Sequence, residues 1–221
     1  MNVTLIQSSE MLLRSPRALV SAIHSKREHT ALYHSSLLVI TLGTACFGAV
    51  LGTSHGIRQL LYSAVKLPVA FLITLLLVTP ALSAIASALR RPLGAAQATL
   101  LVLAAAARAS LVLLALAPVV WLAMSHGLEY HRGILSAALC YALAGLAALQ
   151  LVLRGLGQDW RARFIALFFA ATLVPAGAQS AWMLRPYVGR PSQPTVPFLR
   201  KIDGSFVDSI YRSAGSSVLY E

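Results

Sequence analysis

Between Leu37 and Leu184 the chain is a succession of five apolar runs separated by short polar linkers: Leu37 to Gly52, Leu67 to Leu89, Leu93 to Met124, Ile134 to Leu153 and Phe164 to Leu184. Crossing the hydrocarbon core of a bilayer takes roughly 20 apolar residues, each advancing a helix by about 1.5 Å. The runs reach or approach that length. Inside lipid no water satisfies the backbone N–H and C=O groups, so a spanning segment closes its own hydrogen bonds as a helix. The period-two alternation of a membrane barrel is absent. The pattern predicts an all-α, polytopic transmembrane bundle of about five spans over residues 37–184, with a juxtamembrane lead at 1–36 and an extramembrane tail at 185–221.

The lead places Leu5, Ile6, Met11, Leu12, Leu13, Leu19, Val20 and Ile23 at loosely helical intervals, with Arg14, Arg17, Lys26 and Arg27 among them. Such a stripe predicts an amphipathic helix, either lying in the membrane interface or docked on the bundle. A break falls at Ser15–Pro16, where proline suits the first position of a new helix. No continuous apolar stretch followed by a small-residue cleavage site occurs in 1–36, so the first run is expected to remain as a helix.

The runs differ in detail. The first carries Gly43, Gly48 and Gly52, the last two at a GxxxG spacing that lets a second helix approach closely. If it were re-entrant, four spans would remain. The segment from Thr53 to Lys66 reads as a linker able to lie flat on the membrane surface. Pro68 suits a helix start, whereas Pro80, Pro118 and Pro175 fall inside runs, where a proline removes a backbone donor and bends a helix. Trp160 and Trp182 bracket the fifth run and are expected at headgroup level as interface anchors. Pro186, Pro191, Pro194 and Pro197 predict an extended tail.

Composition agrees with this reading. The 221 residues are 57% hydrophobic and only 11% charged, with a mean hydropathy of +0.73, against about 25% charged in a soluble domain. The net charge of +11 does not point to nucleic acid, because the 18 Lys and Arg cluster beside the ends of apolar runs, where they meet lipid headgroups. On an arrangement of five spans, the loops and lead on the side of the N-terminus hold Arg14, Arg17, Lys26, Arg27, Arg90, Arg91, Arg154, Arg161 and Arg163. The opposite loops hold Arg58, Lys66 and Arg132, and the tail adds five more. The loop excess predicts a cytoplasmic N-terminus and a tail outside.

Arg108 is the residue that most demands a reason. It lies near the middle of the third run, where an arginine costs on the order of 2.5–3.5 kcal/mol by insertion scales, and no Asp or Glu lies in any run. It is a candidate for binding a partner's carboxylate, an anion or a lipid headgroup, or it snorkels toward the interface. His126, Glu129 and His131 share a linker, but a solvated polar loop explains them better than a metal site. Cys46 and Cys140 lie in runs without metal-binding spacing. No catalytic motif, phosphate loop or intramembrane acid is present. No metal, no cofactor and no enzymatic activity are expected.

The polar lead, five closely spaced spans and short loops resemble the Yip1-type multi-pass family. The segment LLRSPRALVSAI is similar to the proline-containing lead of bacterial members, and WMLRPYVGRPSQPTVPFLRKIDGSFVDSIYRS to the ends of bacterial multi-pass proteins without assigned activity. The resemblance implies a five-span protein of a bacterial inner membrane. It brings no trafficking role, since no residue here encodes one. The expected function is a non-catalytic membrane subunit or scaffold, whose partners are the lipid bilayer and other membrane subunits or copies of itself. The alternative is a channel or transporter, for an anion, with Arg108 lining the route.

Overall fold

The structure is a computed structural model that describes residues 16–24, 29–53, 56–91, 93–126, 130–184 and Phe198. These residues form six helices: α1 (Pro16–His24), α2 (His29–Gly52), α3 (Ile57–Ala88), α4 (Ala95–Ser125), α5 (Tyr130–Leu156) and α6 (Trp160–Leu184). Five of them, α2 to α6, are long and apolar enough to cross a membrane. The protein is therefore a multi-pass integral membrane protein with an all-helical bundle.

The helices outrun the apolar runs at two places. The first span extends back to His29, giving 24 residues, which is a spanning length rather than a re-entrant one. The linker expected to lie flat between Thr53 and Lys66 is instead helical from Ile57, so α3 has 32 residues and a length of about 48 Å. The apolar count failed there because Gln59, Ser63 and Lys66 interrupt it, yet all three are buried. They recur at i, i+4 and i+7 and so share one face of the helix. Helices α3, α4 and α6 run through Pro68, Pro80, Pro118 and Pro175 without interruption.

Helix α4 is the centre of the bundle. Every residue from Leu100 to Ala107 is buried, which requires neighbours on all sides at that height, as expected for a helix apolar all round. Helices α2 and α5 make its largest contacts, and α3 and α1 make smaller ones. The four alanines Ala104 to Ala107 carry little volume, so those neighbours can approach closely. Helix α2 packs on both α3 and α4, and α6 packs on α3.

Two apolar cores stack along the bundle. One joins Leu32 and Ile40 of α2, Val78 and Leu82 of α3, Leu100 to Ala107 of α4, Leu151 of α5 and Ile165 of α6. The other joins Phe47, Leu51, Leu67, Leu113 and Cys140. In the second core the Tyr141 ring meets Phe47 edge-on at 5.7 Å between centroids. Thr44, Thr74 and Thr79 within the spans each donate to the carbonyl four residues earlier, a common fate of hydroxyls in apolar helices.

The short helix α1 docks on the bundle instead of lying free. Leu19 and Ile23 are buried in the first core, against α4 and α5, and the His29 ring joins the Ile23 carbonyl at 3.0 Å. Proline opens the helix, as its missing N–H permits. Because α1 touches little else, Ile23→Asp is expected to release it alone. Amide exchange should lose protection across α1 while α2 to α6 keep theirs; loss of protection throughout the bundle would contradict this.

The α3–α4 connection is a tight turn. Arg91 N–H donates to the Ala86 carbonyl at 2.9 Å and Arg90 N–H to Ser87 at 3.0 Å, which holds Arg90 in the left-handed region at φ 56°. An L side chain costs about 1–2 kcal/mol there, which glycine avoids. Arg90→Gly is expected to raise stability by about 0.5–1 kcal/mol, read from thermal unfolding in mild detergent. A lower melting temperature would show that the arginine side chain itself holds the turn.

Candidate functional site

Arg108 stands on α4 at the junction of the two cores, between Ala107 of one and Ala109 of the other. The residue is partly buried, and its Nη1 is fully enclosed without a hydrogen-bond partner among the described residues. Side chains of a helix lean toward its N-terminus, here the end near Arg91. Asp159 is the one carboxylate among the described residues, and it is engaged elsewhere. An enclosed guanidinium nitrogen in an apolar surrounding loses hydration that nothing on the chain's described part replaces.

The glycines of α2 lie at its two helix contacts. A Cβ on Gly43 would come within 2.9 Å of the Ser110 carbonyl oxygen of α4. Ser110 Oγ spans the same contact, donating to its own Ala107 carbonyl at 2.7 Å, with the Val39 carbonyl of α2 3.2 Å away. A Cβ on Gly48 would collide with the Ser63 carbonyl of α3, and one on Gly52 would stand 2.6 Å from the Gln59 carbonyl. The GxxxG pair therefore faces the buried polar stripe of α3.

That stripe is a feature the apolar pattern concealed. Gln59 donates to Ser63 Oγ at 3.2 Å, and Lys66 is buried beside them at 1% exposure. Two aromatic rings cover the Lys66 ammonium: Phe198 at 4.9 Å and Tyr62 at 6.0 Å to the centroids. The two rings meet edge-on at 5.0 Å. Phe198 thus brings one point of the tail against the start of α3. The i, i+4, i+7 spacing was present in the sequence, but only a helix beginning at Ile57 makes it a face. The tail's contribution carried no sequence signal.

A second group gathers at the α5–α6 turn. Gln150, Leu153, Arg154, Gly157, Gln158 and Arg163 line a pocket of about 290 Å³. Beside it Arg91 donates to Asp159 at 2.5 Å. This pair is about two-thirds buried on each side chain. Gly157, at φ 106°, lets the Arg91 guanidinium approach to 2.9 Å of where a Cβ would stand. The sequence showed this stretch only as a basic linker.

Trp160 is exposed, with the Arg161 guanidinium over its ring at 5.6 Å. Trp182 is partly buried near the other end of α6. The His126 ring hydrogen-bonds to the Leu122 carbonyl at 2.8 Å, whereas Glu129 and the side chain of His131 lie outside the described residues. So does the predicted tail, apart from Phe198. Among the described residues no group of three potential metal ligands converges. Cys46 and Cys140 are free thiols.

Neither family models, nor curated proteins, nor solved structures give a match to this chain.

Proposed function

We propose that the protein is a non-catalytic integral membrane subunit or scaffold that anchors a larger membrane assembly. One observation carries this reading: the enclosed Nη1 of Arg108, which has no partner among the described residues and stands in the helix that holds the bundle together. An intramembrane arginine persists where something compensates its charge. A carboxylate on a neighbouring subunit is the partner that fits, meeting the side chain where it remains accessible, since the residue is only partly buried. The apolar outer faces of α3, α5 and α6, with Leu76, Leu146 and Leu167 widely exposed, supply surfaces for lipid and neighbouring spans.

Purification from native membrane in mild detergent tests the idea. Partners retained by the wild type are expected to be lost from Arg108→Leu. A stable monomer that brings nothing with it, or a partner set unchanged by the substitution, would overturn it. In this reading the N-terminus is cytoplasmic, as the basic loops favour, and cysteine labelling of the tail from the outside checks that orientation.

The enclosed Arg108 Nη1, with no carboxylate beside it among the described residues, favours one alternative, an anion channel or transporter with Arg108 on the route. Anion flux in liposomes unchanged by Arg108→Ala would exclude that mechanism.

A further inference from the structure

The turn between α5 and α6 has an unusual setting. Consecutive antiparallel helices joined by a short turn ordinarily pack along each other. Here α5 packs mainly on α4 and α6 mainly on α3, and the two meet over a small area. Apolar side chains of both helices, Leu143 and Leu146 of α5 and Leu167 and Val174 of α6, are left exposed, and the pocket lies at the turn that joins the two helices.

The lining residues continue the exposed stripes of both helices. On α5, Leu143, Leu146, Gln150 and Arg154 follow one another at helical spacing and are all exposed. On α6, Arg163, Leu167 and Val174 do the same. Each stripe therefore changes from aliphatic to cationic at the same end of the bundle. The result is an apolar channel side leading to a polar head.

Among the described residues no carboxylate lines that head. Arg154 and Arg163 have no carboxylate within the pocket, because the neighbouring Asp159 is held by Arg91. That ion pair also ties the α5–α6 turn to the end of α3. Gln150 and Gln158 add amide donors. Guanidinium forks suit phosphate oxygens, which accept several charge-assisted hydrogen bonds at once.

We propose that this pocket binds a phosphate group, presented by an anionic phospholipid whose acyl chains lie along the exposed aliphatic stripes of α5 and α6. Basic pockets between spans are established receptors for such headgroups. The proposal rests on the pocket and not on Arg108, so it stands or falls separately from the scaffold reading.

The test uses the full chain in phosphatidylcholine nanodiscs, with and without phosphatidylglycerol, and follows thermal unfolding. In parallel, inorganic phosphate is titrated against chloride at constant ionic strength in phosphatidylcholine alone. The wild type is compared with Arg154→Gln/Arg163→Gln and with Arg90→Gln/Arg161→Gln, which removes the same charge from the same face outside the pocket. Phosphatidylglycerol is expected to stabilise the wild type and the outer-face variant, with apparent affinity falling at least about tenfold in the pocket variant. Stabilisation by inorganic phosphate alone, with the same residue dependence, would support the phosphate site but assign it a soluble source. Stabilisation by neither anion, or equal loss in both double variants, would overturn the proposal. The second result would reduce it to diffuse surface charge.

Discussion

A valine at Gly48 is expected to break the bundle. Its Cβ would collide with the Ser63 carbonyl oxygen and stand 2.9 Å from the carbonyl carbon. Those are backbone atoms of a second spanning helix, so no rotamer change relieves the contact. Helix α3 would have to move away, uncovering Phe47 and Leu51 of the second core and separating Gly52 from Gln59. Overpacking of this kind costs about 3 kcal/mol or more. The expected readout is loss of a cooperative thermal transition in detergent and a sharp fall in monodisperse yield. Gly145→Ala provides the control, because nothing lies within 4 Å of a Cβ there. It should keep or raise stability, by up to about 1 kcal/mol from helix propensity. Equal behaviour of the two variants would show that the glycines of α2 are not close-contact residues.

Arg108→Leu is expected to act in the opposite direction on the isolated chain. Removing an enclosed guanidinium from mid-span relieves a cost on the order of 2.5–3.5 kcal/mol. Leucine keeps most of the aliphatic contact that the arginine stem makes. The melting temperature of the purified protein should therefore rise, while partner retention is lost. These two readouts separate a functional arginine from a structural one. A residue that stabilised the bundle through contacts within the chain would lower both when replaced.

The spans and their helical nature were legible because lipid leaves the backbone one solution. Apolar length alone therefore located α4 and α6 closely. It misplaced the start of α2, since His29 to Ser36 contains polar residues that join the helix, and it missed the first turns of α3. There the polar Gln59, Ser63 and Lys66 are buried by contacts with other helices and with Phe198, which local hydropathy does not register. Arg108 stood out in the sequence because its cost is set by depth. The pocket at the α5–α6 turn did not, because Gln150, Arg154, Gln158 and Arg163 are ordinary interfacial residues until two helices splay around them. What separates those helices is their choice of different partners, α4 and α3, a long-range matter invisible to spacing.

That choice also bears on the order in which the protein is made. The surface of α3 that receives α6, near Thr74 and Gly177, must wait until residues 89–184 are synthesised and inserted. During that interval α2, α3 and α4 can already close on one another, since their contacts are complete without the last two spans. The waiting surface tolerates lipid, because the Thr74 hydroxyl is bonded to its own Ala70 carbonyl and leaves no unsatisfied donor exposed. Biogenesis is thus expected to proceed through a three-span intermediate, on which α5 then docks against α4 and α6 against α3.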